Sequence, residues 1–104
     1  MKQLNKKKAE EYASWFRCMG SGARLIVLNI VASADRAMTV GEIVDKVHLS
    51  QSTVSTHIKI LAAEKFIYLE ADGIKTLVRV NKKCMTALPQ AAAEIMNFDR
   101  ISKK

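Results

Sequence analysis

The chain has 104 residues, 49% of them hydrophobic, and a formal net charge of +7. That length supports a single domain with a thin core, which packing against a second copy would enlarge. The charge favours an anionic partner, nucleic acid or an acidic membrane surface, yet Lys2, Lys6, Lys7, Lys8, Lys103 and Lys104 sit at the ends, so the total alone decides nothing.

No apolar run approaches the roughly 20 residues that span a bilayer. The basic start is not followed by the apolar core of a signal peptide. The expectation is a cytoplasmic protein without a membrane partner, whose two cysteines are thiols and not a structural disulfide.

Residues 1–8 read as a basic N-terminal arm. A first helix covers Lys6–Arg17, with Ala9, Tyr12, Ala13 and Phe16 near one face. Gly20-Ser21-Gly22 interrupts it, and Ser21 can cap a second helix running to about Ala34. Residues 23–32 are apolar on nearly all sides, which predicts the buried centre of the domain. A polar connection follows over 33–37.

Residues 39–64 form the most informative segment. Thr39-Val40-Gly41-Glu42 has capping-box spacing and opens a short helix to about Val47. His48-Leu49-Ser50 is a tight link, and Ser50 caps another helix running to about Glu64. In it Val54, Ile58 and Leu61 recur at helical spacing and must face the core. The opposite face then carries Ser52, Thr56 and Lys59, flanked by Gln51, Thr53, Ser55 and His57.

Two short helices joined by a few residues, the second bearing small polar groups in its first half, is an arrangement that enters a DNA major groove. Small side chains permit close approach to base edges, where Gln, Ser and Thr exchange hydrogen bonds and Lys reaches phosphate or guanine. An idle solvated helix is the competing explanation. Thr, Ser and His are mediocre helix formers, which counts against it.

Residues 66–80 read as a hairpin. Phe66–Glu70 and Ile74–Val80 are β-rich runs joined by Ala71-Asp72-Gly73. Lys75 and Arg79 alternate outward on its second strand, where they suit either a wing lying along a phosphate backbone or an ordinary charged face. Other cations available to a duplex are Arg24, Lys65 and the basic tail.

The final segment, 82–101, is helical, and Pro89 must either kink it or sit in the first turn of a fresh helix capped near Thr86. Its Leu88, Ala92, Ile95, Met96 and Phe98 are more apolar surface than one helix can bury alone. They suit a dimer interface or a core role. The fold expected from all this is a mainly α winged helix-turn-helix, ordered α-α-α-α-β-β-α, in one domain over 1–104.

The stretch from "FRCMGSGARLIVLNIV" through "MTVGEIVDKVHLSQSTVSTHIKILAAEKFIYLEADGIKTLVRVN", roughly residues 14–83, resembles the ArsR/SmtB family of winged helix-turn-helix repressors. The resemblance implies a homodimer, paired through its first and last helices, that binds an inverted-repeat operator in double-stranded DNA and represses transcription. An inducer would release it. The cysteine pair of the family's arsenite sensors is missing, its places taken by Thr39 and Gly41. Of the last-helix zinc or cobalt site, Lys82 stands in the Asp place and Cys84 in the first His place. Ile95 and Phe98 replace the remaining ligands.

Cys18 and Cys84 remain. They read either as inert small hydrophobes or as a soft pair that binds arsenite or a thiophilic metal ion, or oxidises. His48 reads as a helix-end residue and His57 as a DNA-facing one. No P-loop, HExxH or nucleophile–base arrangement points to an enzyme. The rival to a DNA-binding regulator is a winged-helix module for protein–protein contact.

Overall fold

A computed structural model describes residues 3–97 of the chain. Five helices and a three-stranded antiparallel sheet alternate as α1 (Lys6–Met19), α2 (Gly22–Ser33), β1 (Met38–Thr39), α3 (Val40–Val47), α4 (Gln51–Ala63), β2 (Ile67–Asp72), β3 (Lys75–Val80) and α5 (Cys84–Met96). This is the expected winged helix-turn-helix, with one strand more than its sequence suggested. No helix among the described residues is long and apolar enough to cross a membrane.

Local chemistry sets most of the helix starts. Asn5 Oδ1 accepts from the Lys8 amide at 2.8 Å, and Ser21 Oγ accepts from the Arg24 amide at 3.3 Å. Ser50 Oγ accepts from the Thr53 amide at 3.2 Å. At α3 the capping box is complete, because Thr39 Oγ1 accepts from the Glu42 amide while Glu42 Oε1 accepts from the Thr39 amide.

The core gathers Val27 and Val31 of α2, Met38 of β1, Ile43 of α3, Val54, Ile58 and Leu61 of α4, Phe66, and Ile67 and Val78 of the sheet, with Cys18 of α1 at its edge. The α4 stripe is as its spacing predicts. The expectation for α2 needs correcting. Only Val27 and Val31 are buried there, while Leu25 and Ile26 are 45% and 56% exposed. A helix in a two-layer domain touches its neighbours along one stripe, so an apolar surface all round outruns what a single subunit can cover.

The extra strand, β1, pairs with β3 through Met38↔Val78 and Thr39↔Leu77. Two residues are too few to show any alternation in sequence. The hairpin turn also shifts by one residue from the expected Ala71-Asp72-Gly73. Asp72 pairs with Lys75, leaving Gly73-Ile74 as the loop. Gly73 takes φ +62° and Ile74 does not enter the left-handed region, the pattern of a Gly-X hairpin loop with glycine at its first central position.

Of the two expectations for Pro89, a fresh helix capped near Thr86 does not hold. Helix α5 starts at Cys84 and runs through Pro89 without a new start at Thr86, whose hydroxyl donates to the Lys83 carbonyl at 3.1 Å. Proline there removes only the amide that would have bonded Met85, early in the helix. Asn97, in the left-handed conformation, ends α5. The expected extension to Ile101, and Phe98 with it, lies outside the described residues.

Arg36 binds Glu42 through both guanidinium amines, tying the loop after α2 to the start of α3. That guanidinium, with help from the Thr39 amide, holds the Glu42 carboxyl down at about 2 against an ordinary 4.5. A depressed carboxylate pKa stabilises the fold fully above its unfolded value and loses that contribution as pH falls through the folded one. The difference in Tm between wild type and Glu42→Gln should therefore shrink as pH drops from 4.5 towards 2, followed by thermal circular dichroism. A gap independent of pH would show that the ion pair contributes nothing.

Candidate nucleic-acid interface

Helix α4 is held by burial on one side and left open on the other. Val54, Ile58 and Leu61 are at most 2% exposed, which sets the helix's rotation. Gln51, Ser52, Thr53, Thr56 and Lys59 are exposed in consequence, and Ser55 and His57 lie half-buried on the flanks. His57 differs from the expectation of an outward group in that its Nδ1 is buried and has no hydrogen-bond partner among the described residues. From Gln51 to Ala63 the helix contains no carboxylate and one cation, Lys59.

The hydroxyls on this face are pre-oriented by one another. Ser50 Oγ donates to Thr53 Oγ1 at 2.8 Å, which frees the Thr53 proton to be donated elsewhere. Thr56 Oγ1 donates to the Ser52 carbonyl at 3.0 Å, turning its lone pairs and methyl outward. Thr56 is thus set to accept a hydrogen bond, as from the exocyclic amine of adenine or cytosine, or to touch a thymine methyl.

The far end of α4 is built for rigidity. The Lys65 amide donates to the Ala62 carbonyl at 3.0 Å and the Phe66 amide to the Leu61 carbonyl at 2.9 Å, a Schellman closure. Lys65, at φ +63°, occupies the left-handed position where glycine is usual. Its carbonyl accepts from Asn81 Nδ2 at 2.7 Å and from Cys84 Sγ at 3.4 Å. Asn81 Oδ1 accepts from the Lys83 amide at 3.1 Å, and the Asn81 amide donates to the Phe66 carbonyl at 2.9 Å. One asparagine, 7% exposed, joins the end of α4, both ends of the hairpin and the start of α5. Sequence reasoning passed over it, since a single Asn after a strand carries no periodic signal.

The supporting cations divide into two groups. Lys75 and Lys65 are exposed. Arg79 is exposed but its Nε donates to Glu70 at 3.1 Å. Arg24 is half-buried, with Nη1 donating to the Cys18 carbonyl at 2.8 Å, so it closes the end of α1 and does not serve as a surface charge.

Cys18 is buried at the core edge and Cys84 is half-buried against the same core, both as free thiols. Burial pushes each thiol's pKa up; for Cys18 the Arg24 charge opposes this. Less thiolate means a weaker nucleophile and a weaker soft ligand. Among the described residues no group of three or more His, Cys, Asp or Glu is placed to hold a metal ion.

Residues 21–68, the segment carrying α2 to the start of the wing, match the family model described as bacterial regulatory protein, arsR family. That segment is similar to the arsR family, and it sits within a winged helix-turn-helix fold. The fold of NolR from Sinorhizobium fredii is similar over 91% of this chain and 96% of that one, at 28% identity and a TM-score of 0.69. An ArsR-like transcriptional regulator from Rhodococcus sp. RHA1 superposes with a TM-score of 0.76 at 17% identity, over 91% and 89% of the two chains. The homodimeric winged helix-turn-helix DNA-binding domain of Mb0332 from Mycobacterium bovis gives 0.68 at 20% identity, over 90% and 91%. No curated protein matches the sequence at a significant level. The arsR-family match ends at Tyr68, so Asn81 and α5 rest on the fold alone.

Replacing Asn81 should loosen this domain measurably. Asn81→Ala strands the Lys83 amide and removes the Lys65 carbonyl's stronger donor, costing about 1–3 kcal/mol in urea denaturation. Asn81→Asp should cost at least as much, because a carboxylate would face that carbonyl. Stability equal to wild type in both would show the junction to be incidental.

Proposed function

We propose that the protein is a sequence-specific DNA-binding transcriptional regulator, a homodimeric repressor that occupies an inverted-repeat operator. The observation that carries this reading is the outward face of α4: exposed hydroxyls and one amide, two of the hydroxyls oriented by hydrogen bonds to Ser50 Oγ and the Ser52 carbonyl, with no carboxylate to repel phosphate. Its N-terminal end also presents free amides and a positive dipole to a phosphate.

A pair fits the exposed surface. Phe16 of α1 and Met85, Ile95 and Met96 of α5 are 39–66% exposed, and only Ala91 of α5 is fully buried. Two helices that leave this much apolar surface uncovered suit a second copy, and the similar Mb0332 domain is described as homodimeric. Leu88, by contrast, packs against the subunit's own core. Twofold pairing would present two copies of α4 to half-sites about one helical turn apart. A bound dimer on a promoter represses by occupying the site.

Mobility shift on the promoter of its own operon, at two salt concentrations, tests the reading. Specific binding should weaken steeply with salt and keep its sequence preference. Thr56→Ala should cost roughly three- to tenfold in affinity, and Lys59→Ala should weaken binding and lower the salt slope by about 1. Both variants should sediment as dimers. Unaltered affinity in both, or no binding by wild type, returns the fold to the rival role of a protein–protein module.

A second reading adds induction through the thiols. It is favoured by the Cys84 S–H donated to the Lys65 carbonyl at the end of α4. Modification of that sulfur by arsenite, a soft metal ion or an oxidant removes a hydrogen bond from the junction that holds the reading helix. Arsenite or hydrogen peroxide should then weaken promoter binding by wild type more than by Cys18→Ser or Cys84→Ser. Equal responses from all three proteins would leave repression without thiol sensing.

A further inference from the structure

The outer half of α5 is held by little. Cys84 and Leu88 pack against the core, and Ala91 is 1% exposed. Beyond Ala91 no described side chain of the helix is buried, and Ile95 and Met96 are 42% and 64% exposed. Among the described residues one hydrogen bond ties this half to another element, from Tyr12 Oη of α1 to Glu94 Oε2 at 2.6 Å.

The direction of that bond is set by its chemistry. Lys8 Nζ lies 3.4 Å from the same hydroxyl and can only donate to it, while a carboxylate can only accept. The Tyr12 proton therefore points at Glu94. Tyr12 is 5% exposed, its ring centroid lies 5.1 Å from that of Trp15, and Trp15 packs against the core. The anchor is rigid, whereas the helix that it holds would otherwise be a lever pinned near its start. From Cys84 to Met96 that lever is about 18 Å long, so a tilt of about 10° moves its far end by about 3 Å, close to the rise of one base pair.

We propose that the Tyr12–Glu94 bond fixes the half-site spacing that the protein accepts, by setting the angle of α5 against the body that carries α4. The inference rests on the reading above of a DNA-binding homodimer paired through α1 and α5. In such a pair the twofold axis passes among these helices. Their angle to α4 then decides how far apart, and at what twist, the two copies of α4 stand. Tyr12 and Glu94 touch no base and are positioning residues. Half-site sequence stays with α4.

In the test, full-length wild type first selects its half-site from random duplexes, and a second library places inverted copies of it at varied spacing. Wild type should take one centre-to-centre spacing and lose roughly tenfold in affinity when one base pair is added or removed. Tyr12→Phe keeps the ring and leaves Glu94 in water, so thermal denaturation and the sedimenting dimer should be unaltered. Its half-site sequence should match wild type, but its loss for one base pair should shrink to about threefold or less. Glu94→Ala should broaden the spacing equally, and the two changes together no further. Glu94→Gln, whose amide oxygen still accepts, should keep the wild-type spacing. Indifference of wild type to spacing, wild-type spacing in Tyr12→Phe or Glu94→Ala, a broadened spacing in Glu94→Gln, or dissociation of Tyr12→Phe to monomers overturns the proposal and leaves DNA binding in place. Selection of single half-sites by wild type removes the dimer, and selection of no duplex removes DNA binding, this inference falling with either.

Discussion

Three side chains, Val54, Ile58 and Leu61, hold the domain's functional surface in place. Buried against the core residues of α2, α3 and the sheet, they leave α4 a single rotational setting. At 100° per residue, burying that stripe turns Ser52, Thr56 and Lys59 outward. Full burial of each apolar side chain favours this setting by about 1.5–3 kcal/mol. Rotating the helix would instead bury hydroxyls, at a cost of roughly 1–3 kcal/mol for each one left unpaired. Packing and desolvation thus enforce the same orientation, and the polar face needs no internal contact of its own to be presented.

The C-terminal end of α4 is secured differently, by polar closure. Asn81 and Cys84 converge on the Lys65 carbonyl, and Ser14 of α1 hydrogen-bonds to the Glu64 carboxylate. Tyr12 of α1 donates to Glu94 of α5 at 2.6 Å, linking the two helices that carry much of the exposed apolar surface. Those helices therefore grip the same helix whose other end faces solvent.

Charge plays a smaller part than the net value of +7 suggests. Arg24 closes a helix end, Arg36 and Arg79 are paired with Glu42 and Glu70, and α4 keeps one lysine. On the proposed reading, recognition by such a surface would depend on hydrogen-bond matching, methyl contact and close approach, which small side chains allow. Long-range attraction falls mainly to exposed lysines outside α4.

Much of this was legible in the amino-acid sequence. Capping residues marked the starts of α2, α3 and α4, the spacing of Val54, Ile58 and Leu61 assigned the buried side, and β-rich runs about an Asp-Gly turn marked the wing. Each is a local rule, expressed within one or two turns of chain. The tertiary structure decided what depends on partners far apart in sequence. β1 exists because β3 lies beside it, and the loop settled on Gly73-Ile74 because cross-strand register placed Asp72 opposite Lys75. Leu25 and Ile26 remained outside because a helix meets its neighbours along one stripe, whatever the rest of its surface holds. Asn81 became a junction because folding brought the end of α4 to it. Periodicity is written in neighbouring residues, whereas coverage, register and the pairing of buried polar atoms are set by what the chain folds against.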